Sequence, residues 1–108
     1  LLRSAFENVI RNAVRYTTER SKVEVMLEVA EAGISVTVRD HGPGVPEDDL
    51  GSVFQPFFRV ADDRDRASGG AGLGLAISER AARLHGGSVS ARNHGDGGLE
   101  VTISLPSV

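Results

Sequence analysis

The sequence has no cysteine, no tryptophan, one methionine and one tyrosine among its 108 residues. Without thiols there is no disulfide and no thiolate metal site, a composition compatible with the cytoplasm. Lysine occurs once, at Lys22, and no Gly-Lys-Ser/Thr triplet exists, so a Walker-type phosphate loop is excluded. No apolar run is long enough to span a bilayer, and the N-terminus does not resemble a cleaved signal. The formal net charge is -3, which argues against nucleic acid as a partner.

What is present suits one soluble globular domain with a single core: 40% hydrophobic and 25% charged residues. The abrupt start on Leu-Leu-Arg, with no cap or strand before it, leads us to expect an excised piece of a longer chain. Residues 1–18 have helical periodicity, with Phe6, Ile10, Ala13 and Thr17 on one face and Leu2 and Val9 beside it. Arg3, Glu7 and Arg11 are spaced as exposed ion pairs. A strip between these faces carries Asn8, Asn12, Arg15 and Tyr16.

Residues 22–30 and 34–40 alternate apolar with polar side chains and read as two strands, each with one wet face, joined through Glu31-Ala32-Gly33. Pro46 and the acidic run after it open a short helix. Residues 56–71 have no period and read as a mobile loop. A second helix is expected from Leu73 to His85, with Leu73, Ile77, Ala81 and Leu84 on one side and Gly86-Gly87 as its stop. Residues 88–93 and 99–106 are two further strands around a Gly-rich turn. This order predicts an α+β domain, a two-layer sandwich with helices on one face of a mostly antiparallel sheet.

Three features carry chemistry. "GGAGLGL" at 69–75 packs four glycines into six positions before a helix. It lies inside the domain, so it is not a linker, and it lacks both the third glycine and the preceding strand of a dinucleotide fingerprint. What remains is a turn, or backbone amides closing on an anion at a helix start. "RDHGPG" places Asp40 at a strand end before Gly42 and Gly44, either as an ordinary turn or as a carboxylate accepting from an exocyclic amine. Asn8 and Asn12, one turn apart, are either polar helix-border residues or neutral oxygen ligands for a Mg²⁺ that arrives with phosphates.

"ENVIRNAVRYT", "DHGPG", "FQPFFR" and "GGAGLGL", together and in this order, resemble the N, G1, F and G2 boxes of one family. It is the catalytic, ATP-binding domain of bacterial sensor histidine kinases, within the wider group of gyrase, Hsp90 and MutL ATPases. The resemblance covers nearly the whole chain and implies the Bergerat type of sandwich, with ATP between the N-box helix and a flexible lid. It implies Asn12 as the Mg²⁺ ligand, Asn8 supporting phosphate or metal, and Arg15 and Tyr16 at the phosphates and beside the nucleotide. Asp40 matches the adenine-recognising aspartate, with Gly42, Gly44 and Val45 in the turn under the base. Phe54, Phe57 and Phe58 match the F box, and Arg59 a lid arginine that reaches the γ-phosphate. Gly70, Gly72, Leu73, Gly74 and Leu75 match the G2 segment, and Thr102 is expected at the adenine pocket through water. Asn8, Arg15 and Arg59 are the expected catalytic set.

The wider group's ATPases carry a glutamate general base one turn before the metal-binding asparagine. Here that position is Asn8, and an amide cannot take a proton. Transfer to an acceptor other than water is therefore expected, although a GHKL-type ATPase or a nucleotide-binding regulatory module without kinase activity remains the alternative. None of His41, His85 and His94 has the surroundings of a phosphoacceptor. The resemblance implies partners accordingly. A histidine-containing dimerisation domain of the same kinase accepts the phosphate, and a response regulator acts downstream. This chain would be monomeric by itself and unable to complete histidine phosphorylation. The parent would be a homodimer, its catalytic domain cytoplasmic and the whole anchored in the inner membrane. The family's first strand, before the N-box helix, lies outside these residues.

Overall fold

The computed structural model describes residues 2–55 and 74–107. Helix α1 spans Leu2–Tyr16, strands β1 and β2 span Glu24–Ala30 and Gly33–Arg39, and a short 3-10 helix follows at Glu47–Ser52. Helix α2 spans Gly74–Leu84, and strands β3 and β4 span Ser88–Asn93 and Leu99–Pro106. The four strands form one antiparallel sheet in the order β1-β2-β4-β3. The fold class is thus the expected α+β sandwich, with two helices on one face of the sheet.

Strand alternation sends Val38, Val101 and Ile103 to the helix side, where register pairs Val38 with Val101 and Val36 with Ile103. Val9 and Ala13 from α1 and Leu75 and Ala82 from α2 close the core over them. The buried stripes of both helices differ from those the large apolar residues suggested. On α1 the buried residues are Ala5, Val9 and Ala13, whereas Ile10 and Val14 are exposed. On α2 they are Leu75, Ser78, Ala81 and Ala82, whereas Ile77 and Leu84 are exposed. Small residues let the two helices approach until the Ser78 hydroxyl donates to the Ala5 carbonyl at 2.8 Å. Close approach, more than side-chain size, selects the interface.

Strand β1 departs further from expectation. Helix α1 packs against β2, and α2 against β3 and β4. The helix-side residues of β1 are left wet, with Val25 53%, Leu27 64% and Val29 74% exposed. Helix α2 ends at Leu84 with the Gly86 and Gly87 N–H groups donating to the Arg83 and Ala82 carbonyls, the paired closure expected of a glycine-terminated helix. Arg3 pairs with Glu7 at 3.4 Å on the exposed face of α1.

Candidate functional site

Asp40 follows the last residue of β2 and is 3% exposed. A buried carboxylate requires donors. Its Oδ1 accepts the N–H of Gly42 at 2.9 Å and that of Leu99 at 3.1 Å. Among the described residues no hydrogen bond uses its Oδ2. The side chain is therefore fixed through one oxygen, and the other can accept from an N–H or O–H donor.

Two glycines make this arrangement possible by close approach. A Cβ on Gly42 would stand 2.0 Å from the Tyr16 carbonyl oxygen, so the turn lies directly against the last turn of α1. A Cβ on Gly98, which has φ +92, would stand 1.9 Å from the Asp40 carbonyl oxygen. Further along the turn, Val45 is held on both backbone groups by Asn93. The Val45 N–H donates to Asn93 Oδ1 at 2.9 Å, and Asn93 Nδ2 donates to the Val45 carbonyl at 2.6 Å. Gly44 sits against the same Asn93 side chain.

Asn8, Asn12, Arg15 and Tyr16 border the buried stripe of α1, all partly exposed. Their placement follows from the 100° step per residue, which sets positions 8, 12 and 15 to one side of positions 5, 9 and 13. The Arg15 guanidinium lies 5.1 Å from the Tyr16 ring centroid, within cation–π range. Since Tyr16 also meets Gly42, the C-terminal end of this strip and the Asp40 turn are in contact.

The remaining expected residues divide into three groups. Thr102 is not brought to Asp40. The burial of Val101 and Ile103 toward the helices turns Thr102 to the opposite face, where its hydroxyl meets that of Thr37 at 3.0 Å. Leu75 is buried in the hydrophobic core at the start of α2, and Gly74 is the first residue of that helix. Phe54 packs against the core just after the 3-10 helix. Phe57, Phe58, Arg59, Gly70, Gly72 and Leu73 lie outside the described residues.

Sequence reasoning missed several residues that hold the turn. Thr17 Oγ1 accepts the His41 N–H at 2.9 Å, and Thr18 Oγ1 donates to the His41 carbonyl at 2.7 Å. His41 Nε2 lies 2.7 Å from Glu24 Oε1. The hydrogen bond from His41 is the main cause holding the Glu24 carboxyl below its ordinary value, with the charges of Lys22, His41 and Arg39 adding and partial burial opposing. On the face away from the helices, register aligns Glu24, Arg39, Glu100 and Arg92 in a row of alternating charge across all four strands. Arg39 Nη2 also donates to the Gly97 carbonyl at 3.2 Å, and Arg92 Nε lies 3.3 Å from the buried Glu100. The doubled glycine just before β4, more than a hairpin turn needs, was the one available signal for Gly98.

Over residues 1–108 the sequence matches the family described as histidine kinase-, DNA gyrase B-, and HSP90-like ATPase. The chain belongs to this family. Its similarity to sensor histidine kinases is extensive: it is 50% identical over 105 residues to the sensor histidine kinase CpxA of Escherichia coli K12, covering 97% of this chain and 22% of that protein. The chain thus spans about a fifth of the length of the curated relatives it matches. Among solved structures, the mycobacterial sensor histidine kinase MprB superposes with a TM-score of 0.85 at 31% identity, over 95% of this chain and 70% of that one. Full-length ShkA, solved in complex with AMPPNP, superposes with a TM-score of 0.80 at 33% identity, over 97% of this chain and 21% of that one. The chain is a histidine kinase-like ATPase domain of the kind found in two-component sensor kinases.

Proposed function

We propose that this histidine kinase-like domain binds ATP with Mg²⁺ beside the Asp40 turn and passes the γ-phosphate to a histidine on a separate dimerisation domain of its parent kinase. The observation that carries this reading is the Asp40 carboxylate, nearly buried, held through Oδ1 and with Oδ2 left for a ligand amine. Adenine presents that amine.

The other roles follow from chemistry and position. Asn12 contributes an amide oxygen to Mg²⁺ and Asn8 supports metal or phosphate. Among the described residues no three His, Asp or Glu side chains converge to hold a metal. Mg²⁺ takes few protein ligands and fills its remaining positions with phosphate oxygens and water, which suits a neutral amide donor. Bound Mg²⁺ would supply neutralisation of phosphate charge. Arg15 and Arg59 act on the phosphates, Tyr16 flanks the nucleotide, and Val45, Gly70, Gly72, Leu73, Gly74 and Leu75 are assigned to its binding. Asn8 cannot deprotonate water, so the acceptor must bring its own nucleophile. In the parent that acceptor is the dimerisation-domain histidine, with a response regulator downstream, and the catalytic domain faces the cytoplasm from an inner-membrane sensor. No described helix is long and apolar enough to cross a membrane.

The test is a pair of measurements on the chain. Calorimetric titration with ATP and Mg²⁺ should show one site, and γ-labelled ATP should label a dimerisation domain supplied in trans while leaving this chain unlabelled. Release of free phosphate at the same rate with or without that domain would instead identify an ATPase.

A further inference from the structure

We infer that His41, held on Glu24, is a positioning residue for nucleotide binding: it fixes the turn that presents Asp40, so affinity for the nucleotide depends on the Glu24–His41 contact. The inference rests on the nucleotide reading above and concerns residues that the reading leaves without a role.

The geometry is specific. Both chain neighbours of Asp40 are tied to one carboxylate, since Glu24 Oε1 lies 2.7 Å from His41 Nε2 and 3.9 Å from Arg39 Nη1. The backbone of His41 is gripped as well, its N–H by Thr17 and its carbonyl by Thr18, in the segment that leaves α1. One residue thereby joins the helix bearing Asn8 and Asn12, the first residue of β1, and the turn carrying the ligand-facing carboxylate. The turn beyond it contains Gly42 and Gly44, whose intrinsic freedom would have to be lost on binding if nothing restrained it beforehand. Glu24 sits on the sheet's edge strand and its side chain is 41% exposed, so the tie is not part of the hydrophobic core.

The charged groups around the pair are Glu24 itself, Arg39 beside it, and Lys22 acting on Glu24, while the segment after α1 faces it with the hydroxyls of Thr17 and Thr18.

The test is a double-mutant cycle read by calorimetry with ADP and Mg²⁺, with thermal unfolding recorded for each variant. Glu24→Gln and His41→Gln should each raise the dissociation constant about three- to tenfold, and the double variant should be no weaker than the weaker single, because one contact is lost in every case. The affinity advantage of the wild type over Glu24→Gln should narrow with added salt, because the tie is partly exposed. Unchanged affinity in both singles, or singles whose effects simply add, overturns the inference even if unfolding temperatures fall. A wild-type chain that binds no ADP overturns the nucleotide reading and this inference together, whereas a binding wild type with unaffected variants overturns this inference alone.

Discussion

Asp40 and Leu99, 59 positions apart, hold each other by two reciprocal hydrogen bonds: the Asp40 N–H donates to the Leu99 carbonyl at 3.1 Å, and the Leu99 N–H donates to Asp40 Oδ1 at 3.1 Å. Cross-strand pairing has here been extended by one side chain. The backbone bond positions the Cα of Asp40, the side-chain bond selects its rotamer, and the Gly42 N–H completes the fixation. A carboxylate set in this way loses no rotational freedom when a ligand arrives.

Asp40→Asn tests the ligand-facing oxygen separately from the structural one. An amide oxygen can still accept from Gly42 and Leu99, but its NH₂ then confronts the ligand's amine with a second donor. We expect nucleotide affinity to fall by about 30- to 100-fold, the range for losing a charge-assisted hydrogen bond, with little change in unfolding temperature. Wild-type affinity in this variant would remove Asp40 from the base pocket.

Asn12→Ala addresses the metal. The variant should bind nucleotide in EDTA as the wild type does, and lose most of the affinity gained on adding Mg²⁺. Asp40→Ala should instead weaken binding with and without metal. Calorimetry of both variants in both buffers separates the roles, and equal metal dependence in the two would contradict them.

Gly98→Ala should be among the most damaging single-methyl additions in the domain. The new Cβ meets the Asp40 carbonyl oxygen at 1.9 Å and sits on a backbone with φ +92. A loss of about 2–4 kcal/mol is expected, together with loss of nucleotide binding. Gly95→Ala, three residues earlier in the same turn with nothing within 4 Å of its added Cβ, should change stability by no more than about 0.5 kcal/mol. Denaturant unfolding of the two variants measures the contrast.

Glu24 predicts one limb of the stability–pH curve. Its carboxyl is held below the ordinary value of 4.5, chiefly by the hydrogen bond from His41. A depressed folded-state value stabilises the fold above the unfolded value, and that contribution disappears as pH falls through the folded one. The wild type should therefore exceed Glu24→Gln in stability at neutral pH, with the gap closing below pH 4.5. Added salt should narrow the gap at neutral pH, since the pair is partly exposed.

Periodicity made the elements legible: two helices, two hairpins and the Asp40 turn were all readable from spacing and glycine placement. It misjudged which helix faces are buried, because Ile10, Ile77 and Leu84 carry more apolar weight than the alanines and the serine that permit close helix contact. In β1 the alternation of Val25, Leu27 and Val29 records a face suited to burial, but only the helix placement decides whether anything covers it. The ties from Asn93 to Val45, Gly98 to Asp40 and Glu24 to His41 join positions 17 to 58 residues apart through single contacts. No local pattern encodes such contacts, and they are what fix the candidate site. Thr102 is the reverse case, since its strand position was readable but its face depended on which neighbours entered the core.

The central claim is that Asp40 Oδ2 accepts the exocyclic amine of adenine, and parallel titration of the wild-type chain with ATP and GTP tests it most directly. Guanine offers a carbonyl oxygen where adenine offers that amine, which sets an acceptor against the carboxylate. The account predicts ATP binding at least about 100-fold tighter than GTP, with most of that preference gone in Asp40→Asn. Equal affinity for the two nucleotides, or an undiminished preference in the variant, would contradict it.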